Sequence, residues 1–446
     1  MKNFNCLKKN LVLKCSLLIL LALCTLFTQD ARCASFIDSG QTLGDSNSNA
    51  VALGDIDGDN DLDAFVANAE ANKIWINQGG NQGGNPGKFL LGQTLEGADS
   101  NDVALGDIDG DNDLDAFVAI FGRKNEVWIN QGGEQNGTPG VFKIDQSIGS
   151  LYSTGVALGD VDGDNKPDAF VANIYFQTVK LVDTVWINNG NGEFSIGKFL
   201  EDDSYSWSVA LGYFDGDGYL DAFVANEGAN IVWINDGKGD FPEDRKKILS
   251  DSVVSKGVAI ADLDGDNDFD AFVANYGHLN KVWLNQGGTQ SGIQGVFLDS
   301  GQKLGTEEES ATECVFLEDI DNDGDIDAFE ANSSYSNIIW VNDGNGNFTE
   351  FQKLGASEAS YGVALGDLDG DDDIDAFVAN GSYQPNKVWL NTLNSPAVNL
   401  PDAILALKIV AGFSPENINM GADINKDSKI GLEEAIYILQ VISELR

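Results

Sequence analysis

The chain has 446 residues, 71 acidic against 26 basic side chains, and a formal net charge of -45 at pH 7. That balance speaks against nucleic acid and anionic membrane surfaces as partners, because both present phosphates to a surface that repels them. A single histidine, His278, leaves no material for Ser-His-Asp or Cys-His nucleophilic sites or for multi-histidine metal centres.

Residues 1–34 differ from everything after them. Lys2, Lys8, Lys9 and Lys14 precede an apolar run from Cys15 to Phe27, and Ala31-Arg32-Cys33-Ala34 follows. This is the pattern of a secretory signal, too short to span a membrane, with cleavage near Cys33 or Ala34. The expected location is therefore secreted, extracellular or at the cell surface, with no membrane span. Four of the five cysteines lie in or beside this segment; Cys314 remains alone, so no disulfide framework is expected.

From Val51 to Asn77 the sequence reads VALGDIDGDNDLDAFVANAEANKIWIN, and its centre, Asp55 to Asp63, places a carboxylate at every second residue. A tight loop with oxygen ligands at positions 1, 3, 5, 7 (through the main-chain carbonyl) and 9 suits calcium, which takes six to eight oxygens at loose geometry. Position 12 is Val66 rather than a bidentate Glu, and strand-like Ala-Phe-Val-Ala follows at once, so the loop joins two strands rather than two helices.

Position 1 recurs at Asp107, Asp160, Tyr213, Asp262, Asp319 and Asp367, at intervals of 48 to 57 residues. The expected ligand sets are Asp55, Asp57, Asp59, Asp61 and Asp63, then Asp107, Asp109, Asp111, Asp113 and Asp115. The third is Asp160, Asp162, Asp164, Lys166 (by its carbonyl) and Asp168. The fifth is Asp262, Asp264, Asp266, Asp268 and Asp270, the sixth Asp319, Asp321, Asp323, Asp325 and Asp327, and the seventh Asp367, Asp369, Asp371, Asp373 and Asp375. In the fourth, Tyr213 replaces the first Asp and leaves Asp215, Asp217 and Asp221, so that loop is expected to be weak or empty. These seven loops hold 33 of the 71 acidic side chains. Such clustering would be self-repelling without a cation.

Each copy continues with Asp-Ala-Phe, a Trp strand (Trp75, Trp128, Trp186, Trp233, Trp283, Trp340, Trp389), and, up to the sixth, a Gly-rich turn and a fourth strand. Four short strands in each of seven units predict an all-β, seven-bladed β-propeller of four-stranded antiparallel blades over residues 35–391. The last copy stops after its third strand, whereas Ser35 to Leu43 matches the fourth strand at Phe297 to Leu304. The N-terminal strand should therefore complete the seventh blade and remove the open edges.

These loops, spaced seven times between short strands, resemble the FG-GAP repeats of integrin alpha subunits and related bacterial repeat proteins. The resemblance implies calcium in about six loops and a platform for adhesion or ligand binding. After Asn391 the composition becomes helix-like, and Asp423, Asn425, Asp427, Lys429 (by its carbonyl) and Glu434 form a twelve-residue loop. It resembles the EF-hand-type loop of a dockerin, which implies one further calcium site, a small α-helical module over 392–446 and a cohesin-like partner. The companion loop at Asn391, Leu393 and Ser395 has decayed, and a simple calcium-stabilised helical cap fits the same residues.

In a four-stranded meander the loops alternate ends, so the 2–3 and 4–1 loops lie opposite the calcium loops. Tyr175, Tyr205, Trp207, Tyr276, Tyr335 and Tyr383 fall in those segments, and aromatic rings with a polar handle suit sugars and protein surfaces. The expected ligand face is opposite calcium, with the fourth blade (Tyr205, Trp207, Tyr213, Tyr219) at its centre. The function expected is non-catalytic adhesion or recognition of a glycan or protein. The alternative is a glycoside hydrolase or lyase acting on polysaccharide, or a cellulosome-like component recruited through the tail, since a catalytic carboxylate pair stays open among so many acids.

Overall fold

The computed structural model describes residues 35–393 apart from 80–83, 98, 133–136, 150–151, 175–181, 202–204, 250–252, 288–291, 307–309 and 357. The candidate signal segment, the C-terminal module with its loop at 423–434, and Tyr175 lie outside the described residues.

The first complete unit is the meander Ser48–Gly54, Asp63–Asn68, Asn72–Asn77 and Phe89–Leu95. Its second strand, DAFVAN, is buried at every position, because both faces of the sheet are covered by neighbouring units. Among the described residues there are five four-stranded antiparallel sheets and one eight-stranded sheet, in which two meanders are joined by the pairing of Glu227 and Gly228 with Val254 and Val253. One of the four-stranded sheets contains the N-terminal strand: Phe36–Asp38 pairs with Lys387–Asn391 beside Asp375–Asn380 and Ser360–Gly366. The expected completion of the last blade is thus present.

The first strands follow one another in a closed cycle. Ser48–Gly54 packs beside Ser100–Gly106, then come Ser153–Gly159, Tyr205–Gly212, Val253–Ala261, Thr312–Glu318 and Ser360–Gly366, and the last returns to Ser48–Gly54. Each junction is filled by an edge-to-face pair between the Phe of one second strand and a Phe of the next unit, which opens that unit's fourth strand everywhere except in the fourth unit, where Phe241 lies in the connection before it. Phe65 meets Phe142 at 5.6 Å, Phe117 meets Phe194 at 5.4 Å, and the series closes through Phe329 with Phe36 at 6.0 Å and Phe377 with Phe89 at 5.3 Å. Such pairs contribute ~0.5–1.5 kcal/mol beyond the area they bury.

Every first strand carries a β-bulge near its start. In the first unit the register slips between Ser48 and Ala50, and the same slip occurs at the matching place in the other six. The extra residue, Asn49 in the first unit, leaves the ladder and its side chain is re-aimed.

Candidate metal centres

The nine-residue loops are built by their own side chains. Positions 4 and 6 are left-handed, Gly58 at φ 79° and Asn60 at φ 72°; in the sixth loop the residue types exchange, to Asn322 and Gly324, and the conformation stays. Asp55 accepts from Asp59 N at 2.8 Å and from Asn60 N at 3.0 Å, and Asp59 Oδ1 accepts from Asp61 N at 3.1 Å. The ninth-position Asp is fully buried. Oδ2 of Asp63 accepts from Ile56 N at 3.1 Å and Asp57 N at 3.2 Å, while Oδ1 accepts from Asn77 N on the third strand at 2.8 Å.

Three carboxylates converge in five of the acidic loops. Oxygens of Asp55, Asp57 and Asp63 lie within 4.8 Å of one another, as do those of Asp107, Asp109 and Asp115, of Asp160, Asp162 and Asp168, of Asp262, Asp264 and Asp270, and of Asp319, Asp321 and Asp327. An all-oxygen donor set suits a hard cation. Asp321 Oδ1 is buried with no hydrogen-bond partner, an oxygen that a cation would satisfy. Burial, aided by neighbouring carboxylates, pushes Asp63, Asp115 and Asp327 up to about 7 and Asp270 to about 8. These residues can hold a metal ion.

The convergence is of positions 1, 3 and 9. Position 5 is tied to the loop backbone, and position-7 side chains lie against a glycine that follows the third strand. A Cβ on Gly79 would come 2.0 Å from Asp61 Oδ2, and one on Gly132 2.1 Å from Asp113 Oδ2; Lys166 and Asp325 lie over Gly190 and Gly344 in the same way. Sequence reasoning missed this glycine, and also the third-strand Asn. Asn130 Nδ2 donates to Ile56 O of the preceding unit at 2.8 Å, Asn188 to Ile108 O at 2.8 Å, and Asn77 to Leu368 O at 2.9 Å. Together with Asn235, Asn285, Asn342 and Asn391 these amides link each acidic loop to the next around the whole cycle. The repeated Trp-x-Asn was the available signal.

The chain matches the FG-GAP-like repeat family over residues 55–118, 107–171, 213–273 and 319–378, together more than half its length. It belongs to the FG-GAP-like repeat family. The matched stretches begin at position 1 of a loop, three of them at an Asp and one at Tyr213, so the FG-GAP unit coincides with the loop-and-strand unit seen here. No curated protein sequence matches the chain. Among solved structures, BBS1N in complex with ARL6DN, in crystals soaked with mercury or with lead, is similar to 80% of this chain over 96% of its own, with TM-scores of 0.50 and 0.51 at 11% identity. An Agrocybe aegerita lectin that recognises non-reducing terminal N-acetylglucosamine is similar over 71% of this chain and 82% of its own, with a TM-score of 0.48 at 19% identity. The BBS1N likeness is one of fold.

The fourth FG-GAP loop differs in kind. Its position 9, Asp221, keeps the same three acceptor bonds, to Phe214 N, Asp215 N and Asn235 N. At position 1, Tyr213 leaves the loop and stacks on Phe269 of the next loop, at 6.5 Å and 23°. The guanidinium of Arg245 reaches in from the 3–4 connection, 3.3 Å from Asp215 Oδ2 and 3.9 Å from Asp217 Oδ2, with Nη1 donating to Asn235 O at 2.5 Å. A fixed organic cation stands beside the carboxylates that a metal would share elsewhere.

Tyr213 and Tyr219 lie on this loop face. They are therefore at the opposite end of Tyr205–Gly212 from Tyr205 and Trp207, which corrects the expected grouping of all four at one centre. Trp207 and Tyr276 come together through Lys256, whose Nζ is 3.0 Å from the Trp207 ring centroid and 5.9 Å from that of Tyr276. Tyr205, Tyr335 and Tyr383 are exposed, and His278 is exposed with Nδ1 3.3 Å from Tyr276 O.

Proposed function

We propose that this FG-GAP protein is a secreted, calcium-stabilised, seven-bladed propeller that acts as a non-catalytic recognition or adhesion module for a glycan or protein. The observation that carries the reading is the convergence of positions 1, 3 and 9 in the acidic loops, each loop being tied to its neighbour by a third-strand Asn. Calcium would be held by those carboxylates and would supply the positive charge that their burial and mutual repulsion call for. With the loop end committed to holding the ring together, the opposite end is left for recognition, and exposed Tyr205, Tyr276, Tyr335 and Tyr383 support that choice. Export through residues 1–34 belongs to the same reading, since extracellular calcium would fill such loops. Among the described residues no helix is long and apolar enough to cross a membrane.

Affinity electrophoresis of the full chain against a panel of soluble polysaccharides, with calcium and with chelator, tests this, with reducing ends assayed in the same gels. Calcium-dependent retardation without new reducing ends is the expected result. New reducing ends would make the protein an enzyme, and no retardation would leave a protein partner.

A further inference from the structure

The seven β-bulges place one side chain from each unit around the mouth of the central axis, at the end opposite the acidic loops. In the first three units the bulge residue is small, and all three staple one strand to the next. Asn49 Nδ2 donates to Ser100 O at 2.8 Å and Asn101 Nδ2 to Ser153 O at 2.9 Å; Thr154 Oγ1 does the same to Ser206 O at 2.6 Å. In the last four units the bulge residues are Trp207, Lys256, Glu313 and Tyr361, and these are large, chemically distinct side chains. All seven line one cavity of about 370 Å³. Neighbouring backbones touch just beyond them: a Cβ on Gly362 would come 2.8 Å from Ala50 Cα and one on Gly155 3.0 Å from Ser208 Cα. The cavity is therefore sized for one small ring rather than a threaded chain.

Its unmet chemistry is specific. The indole Nε1 of Trp207 is buried without a hydrogen-bond partner. Lys256 Nζ sits over the Trp207 ring, within electrostatic reach of Glu313 and Glu227 but, among the described residues, in ion-pair contact with no carboxylate. Two donors, one of them charged, thus share the cavity with two carboxylates, Glu313 and Asp102, and the Asp102 oxygens are taken up by Val103 N and Val156 N. Glu313, by contrast, keeps one oxygen engaged by Ser333 Oγ at 2.8 Å and has acceptor capacity to spare. A single ammonium calls for a monoanion, an aromatic wall favours a saturated ring face, and a carboxylate beside them accepts from hydroxyls.

We propose that this mouth binds one hexuronic acid residue, its carboxylate on Lys256 and the Trp207 indole N–H and its hydroxyls on Glu313. The inference rests on the recognition reading above and assigns its ligand class and its place. A neutral sugar would leave the ammonium without an anion in direct contact, and a bare carboxylate would leave Glu313 and the ring walls unused.

The test is titration calorimetry and tryptophan fluorescence on the full chain in calcium, with glucuronate and galacturonate as ligands and glucose and acetate as controls. One saturable site is expected for at least one uronate, with both controls weaker by about tenfold or more, the scale of one lost charge-assisted hydrogen bond. Lys256→Met should lose about tenfold and Lys256→Arg should restore binding. If Lys256→Met does not fold, the uronate-to-glucose ratio of the parent decides alone. Glucose binding as tightly as uronate, or a folded Lys256→Met that binds like the parent, overturns the proposal. No uronate titration while polysaccharides are still retarded in gels overturns the cavity and leaves the recognition reading standing. Uronate binding without any retardation does the reverse.

Discussion

The fourth FG-GAP loop and its acidic counterparts share a backbone plan and differ in what neutralises it. In both, the ninth Asp gathers backbone N–H groups from the loop and from the third strand, as Asp221 does in the fourth and Asp115 in the second. In both, the third-strand Asn reaches back to the preceding unit, Asn235 to Val161 O at 2.7 Å and Asn130 to Ile56 O at 2.8 Å. What changes at the acidic centre is position 1, position 7 and the cation: Asp107 converging with Asp109 and Asp115, and Asp113 at position 7, in one; Tyr213 and Tyr219 with Arg245 beside Asp215 and Asp217 in the other. The comparison separates two roles that the acidic loops superimpose. The ninth carboxylate builds the hairpin, whereas the first and third invite the ion.

The largest expected effect is of calcium removal. One site contributes about 2.7 kcal/mol at a hundredfold excess of ion over its dissociation constant. Six such sites exceed the ~5–15 kcal/mol net stability usual for a domain. Chelator should therefore collapse the strand signal in circular dichroism or lower Tm by tens of degrees, and an unchanged melt would break the comparison at its acidic side. The sign with pH should also invert. In the metal-free chain Asp63, Asp115 and Asp327 titrate at about 7 and Asp270 at about 8, above the ordinary carboxylate range. Groups so raised contribute stability below pH ~4 that is lost as pH rises through 7 to 8. Chelated protein should thus melt higher at pH 5 than at pH 8, and calcium-loaded protein lower at pH 5, where protons compete for the ligands.

A smaller effect sharpens the comparison directly. Asp115→Ala and Asp221→Ala each strand three backbone N–H groups, and each should cost about 3 kcal/mol in urea melts from that cause. Asp115→Ala also loses an ion, so it should be worse by a further ~2.7 kcal/mol in calcium and equal to Asp221→Ala in chelator. A gap that persists without calcium would deny the separation of roles. The smallest effect is that of Arg245→Met. Its ion pairs are partly exposed, so the cost should be about 1 kcal/mol or less and the same with and without calcium. A calcium-dependent cost would place an ion beside the guanidinium.

Local features were the legible ones. The alternating carboxylates, the left-handed Gly and Asn positions and the short strands are written within nine to thirty consecutive residues, and the matching of Ser35 to Leu43 with a fourth strand gave the closure now seen between Phe36–Asp38 and Lys387–Asn391. What stayed hidden depends on contacts between strands. Arg245 lies 30 residues from Asp215, and only the hairpin of the third and fourth strands brings it back. Gly79 reads as an ordinary turn residue until Asp61 is found lying on it. The bulges leave no mark in composition, so nothing in the sequence sets Lys256 and Glu313 apart, although both sit at a register slip beside the central cavity. The same slip explains why Trp207 parts company with Tyr205 just two residues away.

The measurement that bears most directly on the account is long-wavelength anomalous diffraction from crystals of the full chain grown in calcium. The account predicts a calcium peak in each of the six acidic FG-GAP loops, ~2.3–2.6 Å from oxygens of positions 1, 3 and 9, and none beside Arg245. A peak in the fourth loop, or no peaks in the six, would contradict it.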